Sequence, residues 1–112
     1  MGARASMARL RRGEVRWYKF QKPDKKRPVV ILTRDSGLDF LAEVTIAPIT
    51  SVVRDIPSEV FLTKEDGMAR DCAVNLDHLQ TVAKARIGPL ITTLPREKLL
   101  RIRDALNFAL DL

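Results

Sequence analysis

The chain has 112 residues and 12.7 kDa, the size of one domain, and its hydrophobic fraction of 46% and charged fraction of 30% exclude intrinsic disorder and low-complexity repeats. The longest stretch without a charge, Val44 to Val53, has ten residues, about half of what a membrane helix needs. Lys and Arg outnumber Asp and Glu by 20 to 14, and the excess is N-terminal: residues 1–28 hold ten basic and two acidic side chains, the remainder ten and twelve.

Residues 1–10 read as a poorly ordered extension and 11–112 as the domain. The opening Met1-Gly2-Ala3-Arg4-Ala5-Ser6 matches a loose N-myristoylation pattern, while Met7 offers an alternative start. The basic start never settles into an apolar h-region, so export by a signal peptide is not expected. Cys72 is the only cysteine, which excludes an intrachain disulfide and suits a reducing, cytoplasmic setting.

From Gly13 the pattern predicts a strand over Glu14–Tyr18, then a polar loop over Lys19–Lys26 containing Pro23-Asp24. Arg27-Pro28 opens the β-branched run Val29–Thr33, suited to a buried strand. Arg34–Leu38 has the small polar residues of a turn, Phe40–Ile49 is strand-like, and Pro48 argues for an edge or bulge there. Glu59–Thr63 alternates as a half-buried strand, Lys64–Gly67 reads as a turn, and Cys72–Leu76 and Gln80–Ala83 as further strands. Leu99, Ile102, Leu106 and Ala109, with Ala105 and Leu110 beside them, repeat at helical spacing. A helix is expected from about Pro95 to Leu110, with Thr93 as N-cap candidate and a Glu97–Arg101 pair along it. Short strands followed by one amphipathic helix predict an α+β, mainly β domain with the helix covering an open part of the sheet. A core this small leaves apolar surface over, so a homodimer is expected.

Arg9, Arg11, Arg12 and Arg16, then Lys19, Lys22, Lys25, Lys26 and Arg27, are interleaved with Trp17, Tyr18 and Phe20. Cations for phosphates and flat rings for unstacked bases suit single-stranded nucleic acid, and a solvated basic tail with one core tryptophan fits the same composition equally well. His78 and Cys72 lack a zinc spacing, so no metal site is expected, and neither a glycine-rich phosphate loop nor a serine-nucleophile motif is present. One histidine cannot run a two-histidine ribonuclease mechanism. What remains is Arg27 directly before a strand, able to clamp a phosphodiester, and the hydroxyls of Thr50 and Ser51 at a strand end.

In order along the chain, Arg12-Gly13-Glu14-Val15-Arg16-Trp17, Lys26-Arg27-Pro28-Val29-Val30-Ile31-Leu32, Ile46-Ala47-Pro48-Ile49-Thr50-Ser51 and Arg70-Asp71-Cys72-Ala73-Val74 form four blocks. Through them residues 11–112 resemble the MazF/PemK family of toxin endoribonucleases. The resemblance implies a small, strongly curved antiparallel sheet of the SH3-like-barrel type, in a homodimer with two RNA grooves. It also implies metal-independent, sequence-selective cleavage of single-stranded RNA, leaving a 2′,3′-cyclic phosphate and a 5′-hydroxyl, with no cofactor. By position, Arg27 and Thr50 take the catalytic places, and RNA contacts are expected from Trp17, Lys19, Phe20, Lys22, Lys25, Lys26, Ser51, His78 and Gln80. The loop Lys19–Lys26 is shorter than in many members, and His78 stands where several carry Gln or Asn. The implied partner is an antitoxin whose acidic, disordered C-terminal segment fills the RNA groove. Two other classes remain open: a toxin of the same architecture that poisons DNA gyrase, and a nucleic-acid-binding module that cuts nothing.

Overall fold

The computed structural model describes residues 9–21 and 25–112. Seven strands run in the order β4-β5-β3-β2-β1-β7, with β6 also pairing β3. They are β1 Glu14–Lys19, β2 Lys26–Ile31, β3 Glu43–Thr50, β4 Glu59–Leu62, β5 Cys72–Asn75, β6 Gln80–Ala83 and β7 Ile87–Thr93. All pairings are antiparallel, as the short connections require. The expected mainly β architecture holds, but the strong curl does not: the sheet is open, with β4 and β7 at its two ends and no pairing between them. Instead of closing on itself, the sheet is covered by the C-terminal helix Arg96–Leu110, which packs on β4 and on the 3-10 turn Leu76–His78.

Alternation along the strands gives the sheet two cores. Val30 and Leu32 of the β2 region, Ala47 and Ile49 of β3, and Val74 of β5 face Ile102 and Ala105 of the helix. The intervening Val29 and Ile31 join Val44, Ile46, Tyr18 and Leu38 on the opposite face. The helical stripe predicted from spacing is the buried one, Leu99, Leu106 and Ala109 packing partly buried around Ile102. Leu110 is left exposed. Leu10, at the end of the segment expected to be poorly ordered, is buried in the second core, whereas the myristoylation pattern and Met7 lie outside the described residues.

Several local expectations are corrected. Arg34–Leu38 is not a plain turn but carries a short helix, Asp35–Leu38, whose Asp35 accepts the backbone N–H of Arg12 at 2.7 Å and whose Leu38 enters the second core. The following Phe40, read as strand, is 76% exposed, and β3 starts only at Glu43. Pro48 lies in a central strand, not at an edge. It pairs with Val29 on one side, and on the other it falls in the gap where β3 exchanges β6, paired up to Ile46, for β5, paired from Ile49. A missing N–H costs little where the ladder changes partner. The Lys64–Gly67 turn is a 3-10 turn held by a capping box between Thr63 and Asp66. Gly67 closes it at φ +97, and a Cβ there would strike the Thr92 hydroxyl. Thr93 ends β7 rather than capping the helix; Pro95 is the N-cap and makes no side-chain capping bond. The predicted Glu97–Arg101 pair forms at 3.6 Å on the exposed face.

Candidate RNA-binding clefts

Two clefts open at one end of the sheet, and Arg27 lines both. It stands in β2 opposite Tyr18, whose ring anchors β1 in the second core. The β2–β3 pairing ends at Val29 opposite Pro48; continued in the same register, it sets Arg27 opposite Thr50. Both therefore lie on one side of two neighbouring strands at the point where these part.

The first cleft, about 450 Å³, combines three cations, Lys26, Arg27 and Arg70, with the hydroxyls of Thr50 and Ser51 and an apolar wall that includes Trp17, Met68 and Ile91. Among the described residues no carboxylate lines it. Thr50 Oγ1 accepts the Val52 N–H at 3.1 Å, which orients the side chain and leaves its O–H free to donate. Trp17 carries the Lys26 ammonium 6.0 Å from its ring centroid. The backbone behind Trp17 is fixed from β7: β1 and β7 slip register on both sides of Arg16, and Gly88 comes so close that a Cβ there would lie 2.8 Å from the Trp17 carbonyl oxygen. Cys72 also lines this cleft, and burial, reinforced by Asp71 and Asp66, pushes its thiol above the ordinary 9.0. It is a neutral wall residue at neutral pH, not a nucleophile.

The second cleft, about 420 Å³, is lined by Phe20, Lys25, Arg27, Pro48, His78, Leu79 and Gln80. His78 ends a 3-10 turn that is tied down from two sides. Asn75 accepts the Asp77 N–H at 2.9 Å, and Ser58 donates to the Asp77 carboxylate at 2.5 Å. With the Asn75 oxygen so engaged, its amide nitrogen faces His78 Nδ1 at 3.4 Å, which favours the tautomer carrying its proton on Nε2. The imidazole thereby offers a defined donor to the second cleft.

Of the residues predicted from sequence, Arg27, Thr50, Trp17, Lys26 and Ser51 meet in the first cleft, and Phe20, Lys25, His78 and Gln80 meet Arg27 in the second. Lys22 lies outside the described residues. Lys19 lines neither cleft but sits exposed directly opposite Lys26, a like-charge cross-strand pair that is unfavourable until an anion bridges it. Two arginines of the N-terminal cluster do structural work instead. Arg16 is buried in an ion pair with Glu14 at 2.8 Å, and Arg12 Nε donates to the Leu32 carbonyl at 2.8 Å. Arg70, Met68 and Ile91 were not singled out as site residues. Met68 and Ile91 gave no signal, being ordinary apolar residues in sequence.

An antiparallel sheet bearing adjoining cationic clefts, one walled by an indole and one by a phenyl ring, has the chemistry that suits an unstacked polyanion. Residues 11–110 match the family described as PemK-like, MazF-like toxin of type II toxin-antitoxin system, and the chain belongs to that family. Endoribonuclease MazF3 of Mycobacterium tuberculosis (strain ATCC 25618 / H37Rv) is 36% identical over 89 residues, spanning 80% of this chain and 86% of that one. Endoribonuclease EndoA of Bacillus subtilis (strain 168) is 30% identical over 89 residues, 77% of each. Among solved structures, Mycobacterium tuberculosis toxin MazF-mt6 superposes with a TM-score of 0.81 at 32% identity, covering 88% of this chain and 97% of that chain. A mycobacterial endoribonuclease in complex with its cognate antitoxin shares the fold, with a TM-score of 0.83 at 24% identity over 92% and 96% of the two chains. Among the described residues no helix is long and apolar enough to cross a membrane, and no three His, Cys, Asp or Glu side chains gather as a metal set.

Proposed function

We propose that this toxin is an endoribonuclease that cuts single-stranded RNA by attack of the 2′-hydroxyl on the adjacent phosphorus, with Arg27 and Thr50 at the reacting phosphate. The observation that carries this is the position of Arg27, shared by two clefts and in line with Thr50 where the strands part. A phosphate held there has room for one flanking base in each cleft. In the reaction the 2′-oxygen loses its proton and bonds to phosphorus, the bond to the 5′-oxygen breaks, and that oxygen takes up a proton. The products are a 2′,3′-cyclic phosphate and a 5′-hydroxyl. The extra negative charge of the phosphorane is what a guanidinium beside two further cations stabilises, and the Thr50 O–H donates to a non-bridging oxygen. The RNA itself supplies the nucleophile, so the step draws on no metal-bound water.

The same cleft fits an acidic antitoxin segment, since its three cations face no carboxylate among the described residues that line it. A homodimer is supported by exposed apolar surface away from the clefts: Phe61 of the edge strand β4 is 47% exposed and Phe108 of the helix 60%, and the two line one groove. The reading is tested by incubating the protein with a long single-stranded RNA in EDTA and mapping cut sites and end groups. Discrete cuts with 5′-hydroxyl ends support it; intact RNA from folded protein refutes it and favours gyrase poisoning or simple binding.

A further inference from the structure

We infer that Arg70 is a second phosphate-binding residue, which holds the linkage next to the scissile one and carries the RNA backbone across the end of the sheet from β2 over β3 to β5. This rests on the ribonuclease reading and adds a direction to it. Arg70 lies two residues before β5, where Cys72 pairs with Leu62 and Ala73 with Thr50. Since β5 and β2 flank β3 on opposite sides, Arg70 and Arg27 stand on opposite sides of Thr50. Two strand spacings, about 10 Å, separate Arg27 from Ala73 across Thr50, and Arg70 stands three residues before Ala73, a separation that two long flexible arms narrow. Both line one cleft, together with the apolar wall that would receive the base between the two phosphates.

Arg70 is exposed, and among the described residues it enters neither an ion pair nor a side-chain hydrogen bond. The contrast with Arg16 and Arg12, both committed to internal acceptors, is informative. An arginine kept in a cleft without an internal partner has its five donors available, and the bidentate geometry of guanidinium and phosphate is the natural use of them. Lys26, on the far wall and opposite Lys19, continues the positive track beyond Arg27.

The test uses an oligonucleotide centred on a mapped cut site, with 2′-deoxyribose at the attacking position so that it binds without being cut. Single linkages are neutralised in turn as methylphosphonates, and affinity is measured for the wild-type chain, Arg70→Gln and Arg70→Lys. One charge-assisted contact predicts a loss of about tenfold in Arg70→Gln. One non-scissile linkage should show a matching loss on neutralisation in the wild type and none in Arg70→Gln. The salt dependence of log affinity should become shallower by about 0.7, the share of one phosphate contact on a single strand. Arg70→Lys should keep that salt dependence while losing part of the affinity. If every linkage costs the same in wild type and Arg70→Gln, or if Arg70→Gln binds like wild type, the inference is overturned while cleavage stands. A wild-type chain that neither cuts nor binds RNA overturns the ribonuclease reading, and the inference with it.

Discussion

Replacing Glu14 by Ala should be among the most destabilising single changes in the chain, although Glu14 lies outside both clefts. Its carboxylate receives Arg16 Nε at 2.8 Å and the Arg11 backbone N–H at 3.1 Å, with the two side chains only 8% and 10% exposed. Arg16 spends a further donor on the Gly88 carbonyl at 3.2 Å, which ties β1 to β7 at the irregular part of their pairing. Glu14→Ala leaves a buried guanidinium without its counter-charge, a loss of about 3 to 5 kcal/mol. Set against a total stability of about 5 to 15 kcal/mol, that is a large share. With a urea dependence of about 1.5 kcal/mol per molar, the unfolding midpoint should fall by about 2 M or more. The double replacement Glu14→Leu with Arg16→Met removes both charges and should recover most of the loss, because desolvation of the pair consumes much of its attraction. Urea unfolding followed by circular dichroism reads both variants. A Glu14→Ala loss below about 1 kcal/mol, the worth of an exposed ion pair, would falsify the idea that this pair is buried and structural.

Arg27→Ala should lower kcat/KM for RNA cleavage by about two to three orders of magnitude, the usual loss of one donor at a developing oxyanion, with the melting temperature little changed because the side chain is exposed. A loss confined to KM would mean that Arg27 only binds. His78→Gln should alter the cleavage-site spectrum, because it replaces a fixed ring N–H in the second cleft with a flexible amide that both donates and accepts; identical cut sites, rate and pH profile would take both base reading and proton transfer away from His78. Cys72 makes stability fall on the alkaline side. Its thiol ionises near 9.0 when unfolded and higher when folded, so its contribution is complete below that value and is lost as pH rises through the folded pKa. Cys72→Ala should flatten the alkaline limb of a stability–pH curve, and native Cys72 should react slowly with a thiol reagent at neutral pH.

The segments legible in the sequence are those whose burial follows a simple period. Val29–Ile31, the first part of the run read as a strand to Thr33, is β-branched and buried on both faces of a central strand, and the stripe through Leu99, Ile102 and Leu106 is a one-faced helix. The four ordered blocks likewise pointed to Arg27 and Thr50, because the chain places each beside a recognisable strand. By contrast β7, Ile87–Thr93, went unpredicted: it is an edge strand, its burial is partial, and Gly88 and Pro89 mask the alternation. Pro48 suggested an edge because sequence cannot show that β3 changes partner beneath it.

Sequence by itself determined which charges and periods this protein has, for these are properties of neighbours along one chain. Tertiary structure alone decided which charges serve the surface. Arg16 and Arg70 are the same residue chemically, yet one is enclosed against Glu14 and Gly88 while the other faces the cleft of Thr50. That difference arises from strands far apart in sequence, β7 beside β1 and β5 beside β3, and from the desolvation that only their packing imposes.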